Sequence, residues 1–109
     1  MIDHELVMRV ETVYQIPHKV VALQGTIECD VIKSGDSVVI EYDGQIIHAK
    51  IMCFETFNKM FTEAVRGQQL VMAFYPAKEL RSIKKSCTNV VKDGKYVFEK
   101  STAVVWRAL

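Results

Sequence analysis

Three cysteines, three histidines and thirteen carboxylates are the side chains of this 109-residue chain from which a nucleophile, a metal site or an acid–base pair could be built. Their spacing builds none of these. Cys29, Cys53 and Cys87 form no C-x-x-C pair, and their odd number prevents complete intramolecular pairing, so reduced and mostly buried thiols are expected. His4, His18 and His48 are equally scattered, and no Cys or His has the close sequence partner from which a metal site usually starts, so no metal is expected. No Ser/His/Asp or Cys/His grouping carries a local catalytic signature, and the acids are too dispersed to argue for proton transfer. A GxxxxGK[ST] phosphate loop is absent, which leaves nucleotide hydrolysis without its backbone amides and lysine. The expectation is a protein that is not an enzyme and uses no cofactor, with a small enzyme as the least favoured reading.

Cations offer more than nucleophiles. Residues 1–75 carry six Lys and Arg against ten Asp and Glu, a balance of −4, whereas residues 76–109 carry eight against three, a balance of +5. Lys78, Arg81, Lys84, Lys85, Lys92, Lys95, Lys100 and Arg107 could together face a nucleic acid, or simply form a solvated surface. For RNA, the candidate contacts are Lys59, Arg66, Lys84 and Lys85.

The elements that must position these side chains are strands. Leu23, Gly25, Ile27 and Cys29 alternate with Gln24, Thr26, Glu28 and Asp30, the period of a strand with one packed face. Gly25 sits on the apolar parity, where the missing Cβ leaves room for a close backbone approach or a bend. Lys33-Ser34-Gly35-Asp36 is a tight turn, with Gly35 supplying a positive φ, and a further strand runs from Ser37 to Tyr42. Asp43-Gly44 signals a hairpin into Ile46–Phe54, with Ile47, Ala49, Ile51 and Cys53 on one face and His48 on the other, at the surface. A first strand around Met8–Tyr14 ends near Pro17, and Gln69–Tyr75 reads as a buried strand.

Between them, Phe54, Phe57, Met60, Phe61, Ala64 and Val65 recur at helical spacing. A strand to about Phe57 followed by one or two helical turns ending before Gly67 is expected, with this aromatic and methionine cluster in the core or, alternatively, at an interaction surface. A helical turn is expected within Pro76–Lys85. Asp93-Gly94 marks a second hairpin, and Thr102–Leu109 a last strand, a C-terminal extension from about residue 90. Such a succession favours an all-β, closed antiparallel barrel in one domain spanning 1–109. No uncharged run exceeds Gly67–Ala77, far short of the roughly 18 apolar residues of a membrane span. The acidic Met1–Glu5 segment is unlike a signal peptide, so a cytoplasmic protein without membrane contact is expected.

VETVYQI at Val10–Ile16, QGTIECDVIKSGDSVVI at Gln24–Ile40 and FETFNKMFTEAVRGQQLVMAF at Phe54–Phe74 resemble the second, β-barrel domain of elongation factor Tu and related translational GTPases. The resemblance runs from Val7 to about Val90, and lies wholly outside the family's nucleotide-binding domain. It implies a free-standing barrel of that type. In the family, the segment matching Glu11, Thr12 and Tyr14 helps hold the aminoacyl end of tRNA, which makes Glu11 and Tyr14 candidate contacts. Thr12 stands where the family has an acid, and Cys29-Asp30 where it has Arg-Gly. The expected function is a binding module that contacts RNA, a ribosomal component or a protein partner. The alternative is a structural or homo-oligomeric subunit in which the Phe and Met residues, or Trp106 and Leu109 of the last strand, complete a partner.

Overall fold

The computed structural model describes residues 4–16, 20–42, 44–57, 59–80, 91–92, 95–96 and 103–108, and strands dominate them. In chain order they are β1 (His4–Ile16), β2 (Val20–Ile27), β3 (Val31–Lys33), β4 (Ser37–Tyr42), β5 (Gln45–Thr56), β6 (Lys59–Phe61), β7 (Glu63–Val65), β8 (Gln69–Phe74), β9 (Val91–Lys92), β10 (Lys95–Tyr96) and β11 (Val104–Ala108). Among the described residues, a 3₁₀ turn at Lys78–Leu80 lies within Pro76–Lys85, where a helical turn is expected. No helix among the described residues is long and apolar enough to cross a membrane.

Alternation decides how the strands assemble. A strand with one apolar face must cover it, and a sheet that also leaves no edge must curl until its ends meet. Here the antiparallel order β4-β11-β1-β2-β8-β5 is completed by a β4–β5 pairing, so six strands form a hydrogen-bonded ring. Ile27, Ile40, Ile51, Phe54, Met72, Phe74 and Val105 fill its interior, each at most 1% exposed. β11 is an integral member of that ring, between β1 and β4, rather than an appendage to it. β9 and β10 form a separate ribbon.

Irregularities bend the strands to suit closure. Register breaks lie between Leu6 and Met8 and between Val10 and Thr12 on β1, and between Ile51 and Cys53 on β5. The β1 break puts both Val7 and Met8 inside. The β5 break alters the expected face: Phe54 enters the main core, while Cys53 joins Ala22 and Ala73 in a small cluster on the other side of the sheet.

The segment after β5 departs from the helical expectation. β5 turns directly into β6, pairing Thr56 with Lys59 and Phe54 with Phe61, and β7 leaves to pair with β3. Helical spacing was a coincidence of two strand parities separated by a turn. Phe54 and Ala64 are buried, Phe61 is partly covered, and Phe57 and Met60 point into solvent.

Lys33–Asp36 is fixed by nearly every polar group it owns. The Lys33 amide donates to Asp36 Oδ2 at 2.9 Å, the Gly35 amide to the Ile51 carbonyl at 2.8 Å, and Ser34 Oγ to the Met52 carbonyl at 2.6 Å. Gly35 has φ 89°, as the turn chemistry requires. At Gly25 the reason for glycine is space: an added Cβ would collide with the Arg9 carbonyl oxygen and lie 2.7 Å from Met8 Cγ. Gly25→Ala is therefore expected to cost about 1–3 kcal/mol, toward the upper end because the clash is with backbone. Urea unfolding measures it, and an unchanged midpoint would show that β1 can move aside.

Candidate functional site

Of the six residues singled out from the sequence, the structure gathers few. Glu11 is exposed at the second β1 break, where its carboxylate accepts a 3.3 Å hydrogen bond from Gln69 Nε2. Tyr14 lies further along β1, in register with Ala22. Lys59 is exposed at the start of β6, and Arg66 is exposed just after β7. Lys84 and Lys85 lie outside the described residues. No hydrogen bond or ion pair joins any two of Glu11, Lys59 and Arg66.

The expected set of cations is altered by pairing. Arg66 Nη2 donates to Asp30 Oδ1 at 2.8 Å, and that bond pushes the guanidinium pKa up from an already high value. Arg9 lies 3.5 Å from Glu28. Arg107 was counted with the basic surface, yet only 23% of its side chain is exposed: Nη2 donates to Glu5 Oε2 at 2.7 Å, Nη1 to the Val31 carbonyl at 2.8 Å, and Nη1 lies 3.8 Å from Asp36 Oδ2. Arg107 thus ties β11 to β1, to β3 and to the Lys33–Asp36 turn. Arginine serves here because its planar fork satisfies several acceptors at once.

Beneath this cluster Cys29 is 1% exposed. Burial raises its thiol pKa, opposed by the nearby Arg107 charge, and burial followed by Glu55 raises that of Cys53. Both are protonated, poorly nucleophilic thiols at neutral pH.

Two other features involve the Phe, Met and Trp106 side chains that the sequence offers as an alternative partner surface, at positions the sequence does not place. The first is the β5–β6 tip, a two-residue connection spanning 57–58. Phe57 has φ 48°, the left-handed region, and is 94% exposed, with Met60 70% exposed beside Lys59. A bulky L-residue in that region costs on the order of 1–2 kcal/mol, and an exposed ring returns no burial energy. Asn58, a turn former between Thr56 and Lys59, was the available signal for this hairpin.

The second feature is an open pocket of ≈ 480 Å³ on the outer face of β11, β4 and β5, lined by His4, Val39, Glu41, Ile46, His48 and Trp106. Strand register places it: Trp106 pairs with Val39, Val39 with His48, and Glu41 with Ile46, while their neighbours Val105, Ile40 and Ile47 point into the core. Trp106 Nε1 is shut off from solvent and has no hydrogen-bond partner. Ile46 is 60% exposed at the rim. His48 is a surface residue, as expected.

No protein-family model matches the chain, and no curated protein matches it.

Two substitutions separate scaffold from surface. Arg107→Met is expected to lower stability by about 1–3 kcal/mol, less than a fully buried pair would, because about a quarter of each partner's side chain stays in water. A double-mutant cycle with Glu5→Gln measures the coupling, and an additive pair would assign the loss to packing alone. Phe57→Asn is expected to stabilise by about 0.5–1 kcal/mol and raise Tm by roughly 2–6 °C, because asparagine tolerates the left-handed region. A lowered Tm would show that the exposed ring supports the fold.

Proposed function

We propose that the chain is a non-catalytic binding module that presents the β5–β6 tip to a protein partner. One observation carries this reading: Phe57 is held in a costly backbone conformation and yet is 94% exposed. Local strain at a position that the fold does not use is characteristic of contact sites. Aromatic residues and methionine are enriched at the centres of protein interfaces, and Phe57 with Met60 supplies both. The charges around them, Glu55, Lys59 and Glu63, alternate in sign, which suits a protein rim better than a polyanion. Burial and raised thiol pKa values at Cys29 and Cys53 disfavour covalent chemistry at those two positions.

The resemblance to the second domain of elongation factor Tu supports the same class of function, a ring of strands that works by contact. Under that resemblance Glu11 and Tyr14 are the positions to examine for an RNA-end contact. RNA is the second reading, favoured by the +5 balance of residues 76–109. It would rest on Lys59, Lys84 and Lys85, since Arg66 and Arg107 are already engaged by carboxylates.

Replacing Phe57 with a photoreactive phenylalanine and irradiating native extract, with and without nuclease, tests the proposal. A nuclease-resistant protein adduct is expected, absent when the same group replaces exposed Lys78. Equal labelling at the two positions, or none, would overturn it, and an adduct abolished by nuclease would favour RNA.

A further inference from the structure

The tip and the Trp106 pocket lie at opposite ends of one strand. Ile46 and His48 stand near the start of β5, and Phe57 follows its last residue. At about 3.3 Å per residue, the path along β5 between them is roughly 30 Å, shortened by the bend at its register break. Phe57 therefore cannot reach the pocket of its own chain.

We propose that the partner is a second copy of this chain, with the Phe57–Met60 tip of one copy seated in the Trp106 pocket of the next. The inference rests on the binding-module reading and gives that module its partner. Shape supports it, because one element projects and the other is concave, whereas two pockets or two tips would not fit each other. Aromatic pairing supports it, since the Phe57 ring would meet the Trp106 indole and the aliphatic Ile46 and Val39. Charge supports it too: exposed Lys59 adjoins the tip, exposed Glu41 lines the pocket, and neither has an ion-pair partner among the described residues.

Among the described residues, Phe57 is the one non-glycine with positive φ, a cost that folding alone does not explain.

The geometry fixes the kind of assembly. A tip entering a distant pocket is a heterologous contact, so an open assembly keeps one free tip at one end and one free pocket at the other until a ring closes.

Sedimentation of the purified protein up to about 1 mM tests this, a single small contact being expected to be weak. The weight-average mass should rise with concentration. Phe57→Asn and Ile46→Glu, both at exposed positions, should each weaken association roughly tenfold or more. Their equimolar mixture should form a heterodimer and nothing larger, because only one intact tip and one intact pocket remain. Lys59→Glu should weaken association, and adding Glu41→Lys in the same chain should restore it. A wild-type protein that stays monomeric, or a Phe57→Asn variant that associates like wild type, would overturn the proposal. If the cross-link from position 57 still captured another protein, only the identity of the partner would fall; loss of that adduct as well would remove the binding-module reading.

Discussion

Everything in this fold depends on β4 finding two neighbours. It pairs with β5 through a short hairpin and with β11 across most of the chain, and the second pairing turns a sheet into a ring. Once the ring is closed, every strand has an inside and an outside, and side-chain alternation assigns each residue to one of them. The core needs no buried charge, and among the described residues it has none. Polar residues are excluded to the outer face and to the ends of the ring.

Arg107 works at one of those ends. The β3–β7 ribbon brings Ile32 and Ala64 into the core, and the guanidinium holds the β3 backbone and the Lys33–Asp36 turn against β1 and β11. The Gly35 turn is thus secured from two directions, by amide bonds to β5 and by charge from β11. Its residues are committed to architecture. The tip after β5 and the outer face carrying Trp106 are among the surfaces that these contacts leave unused.

How much of this could be read from the sequence varies with the kind of signal. Strict alternation along Leu23–Ile27 and Ser37–Tyr42, with glycine in the turns, located the strands and the hairpin beside Gly44. The Phe54–Val65 segment misled because its apolar residues serve three strands and a turn, and their spacing imitates one helical face. Exposure of Phe57 and Met60 follows from where β5 ends, which register sets and composition does not. The pocket was illegible for a different reason: His4, Glu41, His48 and Trp106 come from four strands, and only ring closure makes them neighbours. Arg107 read as one cation of a basic patch because its acceptors, Glu5 and Val31, are far away in sequence.

The place of β11 in the ring bears on how the molecule is made. Its partners on β1 are His4–Arg9, about a hundred positions earlier, so the last pairing closes a loop nearly as long as the domain. Hairpins such as β4–β5 can form within microseconds, while a contact of that span has to wait for a slow search. Until it forms, β1 and β4 each have an open edge, and both edges border apolar strands. Nascent or nicked chains lacking residues 104–108 would be sticky, and the time between synthesis of β1 and arrival of β11 is the interval in which a chaperone would matter most.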